Sequence, residues 1–124
     1  MGINSVEHVK KTEVKRGGNN TVNHEKLLKK CLILLSSNGF FTWKNSSGAV
    51  KGYNGRFQRY GLIGSGDIIG MCPSGRFVCF ECKTGKAVQN KHQKTFEKAV
   101  KARDGIYIVI HSLEELKEWL ATYL

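Results

Sequence analysis

The sequence predicts an α/β fold in which a mixed β-sheet is flanked by helices, and three features point to it. Segments with apolar residues at helical spacing lie near both ends, Leu28, Cys31, Leu32 and Leu35 in one and Leu113, Leu116 and Leu120 in the other. Between them fall runs rich in aromatic and branched residues, "FFTWKN" (40–45), "GDIIGMCPSGRFVCFECK" (66–83) and "IYIVI" (106–110). The last two are joined by a third amphipathic segment, so a strand, helix, strand crossover spans residues 77–110 and makes those strands parallel, with a right-handed connection.

The elements follow in the order α-β-β-β-α-β-α. Residues 1–20, with four basic residues and a Gly-Gly-Asn-Asn ending, read as a flexible basic arm, and residues 21–124 as one domain. A first helix starts at Thr21 or Asn23, and Asn38-Gly39 supplies its C-cap. After the aromatic strand at 40–45, residues 46–66 hold six glycines around "GRFQRYG". That is too long for an ordinary connector unless it has a function, and a short strand at 56–60 interrupts it. A hairpin follows, turning at Pro73-Ser74-Gly75. A helix from Asn90 to Arg103 buries Phe96, Ala99 and Val100 and stops at Asp104-Gly105. Ser112 and Glu115 form a capping box for the final helix.

With 124 residues, 40% of them hydrophobic, the chain suits a single core. Its 20 Lys and Arg outnumber 10 Asp and Glu, a net charge of +10 that favours a polyanionic partner such as nucleic acid over a membrane surface. Residues 21–66 hold seven Lys or Arg and one Glu, which places the basic surface in the first two thirds. Apolar runs are far shorter than a membrane span and no signal peptide is evident, so an intracellular location is expected. Cys31, Cys72, Cys79 and Cys82 are expected to be buried thiols, because Cys79 and Cys82, three apart on a strand, point to opposite faces and cannot grip one zinc ion.

The hairpin carries the chemistry. A three-residue turn makes Cys72 face Arg76, and the same register sets Asp67 opposite Glu81, Ile69 opposite Cys79 and Met71 opposite Phe77. Lys83 projects from the same face roughly 6–7 Å beyond Glu81. A turn one residue shorter or longer would send Asp67 to the other face. Two carboxylates in a poorly solvated place repel, and a proton or a cation must join them. Mg²⁺ prefers carboxylates, a peptide carbonyl such as that of Cys82, and water. The plain alternative is a rim salt bridge with Lys83, worth about 0–1 kcal/mol.

"GSGD" (64–67), "ECK" (81–83) and Gln93 at the start of the next helix resemble the P-D…(D/E)-x-K nuclease superfamily, and within it the small stand-alone VRR-NUC (virus-type replication-repair nuclease) domains of phages and bacteria. The likeness runs from about residue 21 to 116 and includes Glu25 on the first helix, the aromatic strand "FTWKNSSGAV" (41–50) and "GRFQRYGLIGSGD" (55–67). Gly66 stands where the family often has Pro.

The resemblance implies a restriction-endonuclease-like αβββαβ core and a Mg²⁺-dependent DNA endonuclease, with Mn²⁺ able to substitute. It implies action on branched or junction DNA as a homodimer, like Holliday junction resolvases, in the host cytoplasm if the gene is a phage's. Asp67 and Glu81 would be metal ligands with the Cys82 carbonyl, Lys83 the catalytic amine, Gln93 a partner of Lys83, and Glu25 a further ligand or an outer contact. Local roles compete for two of these. Asn90 and Gln93 make a capping box, and Glu25 in a first helical turn suits the macrodipole.

Lys44, Lys51, Arg56, Arg59 and Lys86 are candidate phosphate contacts, and Trp43, Tyr53, Phe57 and Tyr60 can pack on sugar or base. His24, His92 and His111 are read as bystanders, since the inferred chemistry needs no imidazole. The rival function is a non-catalytic basic module that binds DNA on the same fold.

Overall fold

The computed structural model describes residues 19–124. The arm expected over residues 1–20 lies outside that range except for Asn19 and Asn20, which open helix α1 (Asn19–Ser37) a turn earlier than the sequence suggested. This helix buries the stripe of Leu27, Leu28, Cys31 and Leu35. It ends as expected, with Gly39 at φ 82° and the Gly39 and Phe40 amides returned to the carbonyls of Ser36 and Leu35.

Strand β1 (Phe41–Lys44) follows, then β2 (Gly48–Lys51) and β3 (Phe57–Tyr60), β4 (Ile68–Met71) and β5 (Phe77–Cys82). Helix α2 (Lys91–Ala102), strand β6 (Ile106–Ile110) and helix α3 (Leu113–Tyr123) complete the chain. A four-stranded sheet has the order β1-β4-β5-β6. Its first two pairings are antiparallel and β5-β6 is parallel, as the crossover through α2 requires. The fold is thus α/β with a mixed sheet.

Helices cover both faces. Between the sheet and the pair α1 and α3 lies the larger core of Leu28, Cys31, Leu35, Ile68, Val78, Phe80, Cys82, Ile110, Leu116 and Leu120. On the other face Cys79, Val100 and Tyr107 pack with Ile69, Phe96 and Val109 beneath α2. Cys79 and Cys82 therefore belong to different cores, and all four cysteines are buried free thiols.

Two expectations about the middle of the chain change. The strand expected at 40–45 forms as β1, but the longer aromatic strand of the family likeness, 41–50, breaks at Asn45, whose amide donates to the Asp67 carbonyl (2.7 Å) while its side-chain nitrogen bonds Ser65 Oγ (2.7 Å) and the Gly66 carbonyl (2.8 Å). These bonds hold the backbone at Asn45 while the chain leaves the sheet. The glycine-rich stretch is then a second sheet, the antiparallel ribbon β2-β3, and not a loop with one short strand. Ala99, expected in the core, is exposed on α2. The α3 cap is half as expected: Ser112 Oγ accepts the Glu115 amide (3.2 Å), but the Glu115 carboxylate takes the His111 amide (2.8 Å) rather than that of Ser112.

Both hairpins turn in the same way. In each, the first residue donates to the carbonyl of the fifth, and a left-handed glycine in the fourth position donates back to the first. The bonds are Cys72 to Arg76 (2.9 Å) with Gly75 to Cys72 (2.8 Å), and Gly52 to Arg56 (2.7 Å) with Gly55 to Gly52 (3.0 Å). The three-residue turn at Pro73-Ser74-Gly75 fixes Ile68 opposite Phe80 and Met71 opposite Phe77, the parity expected from the sequence.

Gly66 is required by contact. A β-carbon there would run into Cys79 Sγ and lie 3.0 Å from the Phe80 carbonyl oxygen. Proline, frequent at this place in the resembling family, has no room. Gly66→Ala is expected to cost about 1–3 kcal/mol, read as a lower urea midpoint with an unchanged m-value.

Candidate active site

The register that the turn sets ends at Ile68 opposite Phe80, so Asp67 and Glu81 are the next residues of the two strands, at the end of the hairpin remote from the turn. Asp67 is held on both sides of its α-carbon. Its carbonyl accepts from Asn45 and its Oδ2 accepts the Cys82 amide at 2.8 Å. Glu81 is the sole charged residue in the buried set of the described residues, only 2% exposed, and its Oε2 has no hydrogen-bond partner.

The Glu81 carboxyl lies against that of Asp67. Burial, then contact with Asp67 and its charge, push the Glu81 carboxyl up to about 8, while the ammonium of Lys83 pulls the other way. Lys83 is half-buried, and its backbone amide is fixed to the Ile110 carbonyl on β6 at 2.8 Å. Asp67 and Glu81 are thus brought together, and the Lys83 ammonium is near enough to act on Glu81 through its charge.

The donor set suits a hard cation. The amide and carbonyl of one strand residue point the same way, so the Cys82 carbonyl lies on the flank to which its amide donates, that of Asp67. Two carboxylates, this carbonyl and water are oxygen donors of the kind Mg²⁺ takes. No group of three or more His, Cys, Asp and Glu side chains arranged to hold a metal occurs among the described residues. Any ion at this place would complete its shell from backbone and solvent.

Glu25 is not joined to the pair directly. Its Oε1 lies 3.3 Å from Lys44 Nζ and its Oε2 lies 3.9 Å from His24 Nδ1, and His24 Nε2 is in turn 3.3 Å from Asp67 Oδ2. Glu25 therefore stands one side chain away from Asp67, and Lys44, a candidate phosphate contact, is partnered by it. Gln93 has its local role: its Oε1 accepts the Asn90 amide (2.9 Å) and its own amide donates to Asn90 Oδ1 (2.9 Å), closing the capping box of α2. That helix start is still close to the site's loop, since a β-carbon on Gly64 would meet the His92 carbonyl carbon at 2.6 Å.

Two residues escaped sequence reasoning. His24, read as a bystander, touches Asp67; the signal was its place beside Glu25 on α1. Asn45 positions Asp67 from β1, and only its place at the end of a strand hinted at that. Lys51, Arg56, Arg59 and Lys86 are all exposed, the first and third on the ribbon strands and Arg56 at its turn.

No family model, curated protein or solved structure matches the chain. No helix among the described residues is long and apolar enough to cross a membrane.

The raised Glu81 pKa gives a signed expectation. From about pH 4.5 to about 8 the folded chain keeps a proton that the unfolded chain has lost, so without divalent ions stability falls as pH rises through that window. Glu81→Gln should match the parent near pH 4.5 and exceed it at pH 8 by on the order of 3 kcal/mol, measured by urea denaturation across the range.

Proposed function

We propose that the chain is a divalent-metal-dependent endodeoxyribonuclease built on a restriction-endonuclease-like core. The observation that carries this reading is the buried Glu81 carboxyl opposite Asp67, with an oxygen lacking any hydrogen-bond partner, in a chain of net charge +10. A DNA-binding module gains nothing from two carboxylates beside phosphates. A nuclease needs them, because a cation held between them attracts the phosphate that the bare pair would repel.

Asp67, Glu81 and the Cys82 carbonyl would hold Mg²⁺ or Mn²⁺. Such an ion supplies polarisation of a phosphoryl oxygen and a bound water acidic enough to attack near neutral pH. Lys83, placed beyond Glu81, orients or deprotonates the attacking water and offsets charge gathering on the phosphoryl oxygens. The capped start of α2, packed against Gly64, and the Asn45 bonds keep the Asp67 loop rigid under the substrate.

Branched DNA as substrate and a homodimer as the active form follow from the family likeness. Support for the second comes from the part of the sheet face that α2 leaves open, where Phe41, Trp43, Met71 and Phe77 are exposed side by side.

Two measurements test this. Purified protein with Mn²⁺ should cut a four-way DNA junction, and Glu81→Gln and Lys83→Ala should each lower the rate at least about a hundredfold. Mn²⁺ should also raise the melting temperature at pH 8 in the parent and not in Asp67→Asn. No cutting together with no metal-dependent shift would overturn the proposal.

A further inference from the structure

The ribbon β2-β3 is poorly explained by folding alone. All eight residues of its strands are exposed, although an isolated two-stranded hairpin has little stability of its own. It is nevertheless carefully built. The register pairs Gly48 with Tyr60, Ala49 with Arg59, Val50 with Gln58 and Lys51 with Phe57, and the tip closes in the three-residue glycine turn.

Paired residues share a face, so the two faces differ. One carries Val50, Gln58 and Tyr60, with the tyrosine laid across Gly48, where a β-carbon would sit 2.8 Å from its hydroxyl. The other carries Lys51, Phe57 and Arg59. From Lys26 to Gly66 the sequence has no Asp or Glu, so no acid within the ribbon opposes these cations.

The root of the ribbon is fixed at the candidate site. Its ends leave the body at Asn45 and at Ser65-Gly66, which Asn45 ties together, and the same residue bonds the Asp67 backbone. At Gly61, φ 71°, a β-carbon would lie 2.9 Å from Ser47 Cα, so the two stems are in close contact above that staple. The strands reach about 13 Å outward from there.

We infer that the β2-β3 ribbon is a DNA-binding arm that enters the major groove of a duplex whose backbone lies at Asp67 and Glu81, with its Lys51, Phe57 and Arg59 face against the DNA. The inference rests on the nuclease reading for where the duplex lies. Width and charge favour this occupant. The major groove of B-form DNA admits a two-stranded ribbon, whereas that of A-form RNA is too narrow for side chains to read. Lys51 and Arg59 meet phosphates along the groove walls, Phe57 packs between them on sugar or base edges, and Arg56 at the turn extends the cationic track.

The test is fluorescence anisotropy of a labelled duplex in EDTA, with Glu81→Gln as the background so that binding is read without cleavage. Lys51→Ala with Arg59→Ala should weaken binding roughly tenfold or more near 0.15 M salt and reduce the slope of log K against log salt by about 1.8. Phe57→Ser should weaken binding with little change in slope, and Val50→Thr with Gln58→Ala, on the other face, should leave both unchanged. Every ribbon side chain substituted is exposed, which insulates folding, and the buried Glu81→Gln change is common to all the proteins compared.

Unchanged affinity and slope in the double cation variant would overturn the inference even if the parent cuts DNA, leaving the nuclease reading intact. Ribbon-dependent binding with no cutting under any divalent ion would support the arm and sink the nuclease reading. Equal binding of an RNA duplex through the same side chains would overturn the commitment to the DNA groove.

Discussion

A hairpin turn of three residues, Pro73-Ser74-Gly75, pairs Cys72 with Arg76, and from that pairing every side chain of β4 and β5 receives its face. Side chains alternate along a strand, so an even turn would have put Asp67 on the face opposite Glu81 and dissolved the carboxyl pair. The same register sends Ile68, Val78, Phe80 and Cys82 together into the core under α1 and α3. Apolar burial is thus what enforces the polar arrangement: a slipped register would expose four large or fully buried core side chains, at about 1.5–3 kcal/mol for each of the larger ones. The rim carboxylates contribute nothing to choosing the register and accept the positions it gives them.

Those positions are costly for the folded chain. Glu81 has little solvent, an unpartnered oxygen and a second carboxyl before it, and burial pushes its proton affinity far above that of an ordinary glutamate. Structural carboxylates in proteins usually end in a different state, accepting amide hydrogens or an arginine. Asp67 does this partly, with the Cys82 amide and His24. On the nuclease reading, a buried carboxyl held at this cost is a side chain kept for chemistry.

Much of this was legible in the sequence, and the failures have particular causes. The hairpin pairing followed from Pro73-Ser74-Gly75 and the alternation of apolar residues, because turn chemistry and period are local properties. Helix ends at Gly39, Asn90 and Asp104-Gly105 were readable for the same reason. The ribbon was not. Its strand "GAVK" carries one branched apolar residue and no alternation, so nothing in its own four residues signals a strand, and its pairing with "FQRY" depends on the Gly52–Arg56 turn. Asn45 was unreadable because its three bonds run to residues 65–67, which only the β1-β4 pairing brings near. His24 was misjudged because its role depends on how α1 lies over the sheet, a packing property. Gln93 was assigned two roles, and the local capping box is the one whose bonds are formed.

The division of charge ties the ribbon to the carboxyl pair. Attraction of a polyanion by a surface of net positive charge is long-ranged and tolerant of geometry, whereas repulsion by two carboxylates is strong only within a few ångströms. On the proposed reading, an arm carrying Lys51, Arg56 and Arg59, rooted through Asn45 at the residue before Asp67, would draw a phosphate backbone toward a place that by itself rejects it. The conflict is local, and either a proton on Glu81 or a cation between the two acids relieves it. Lys83, whose backbone is bonded to β6, offsets part of it through its charge. On the nuclease reading, what completes the site is a cation small enough to lie between Asp67 and Glu81 and hard enough to prefer their oxygens and the Cys82 carbonyl.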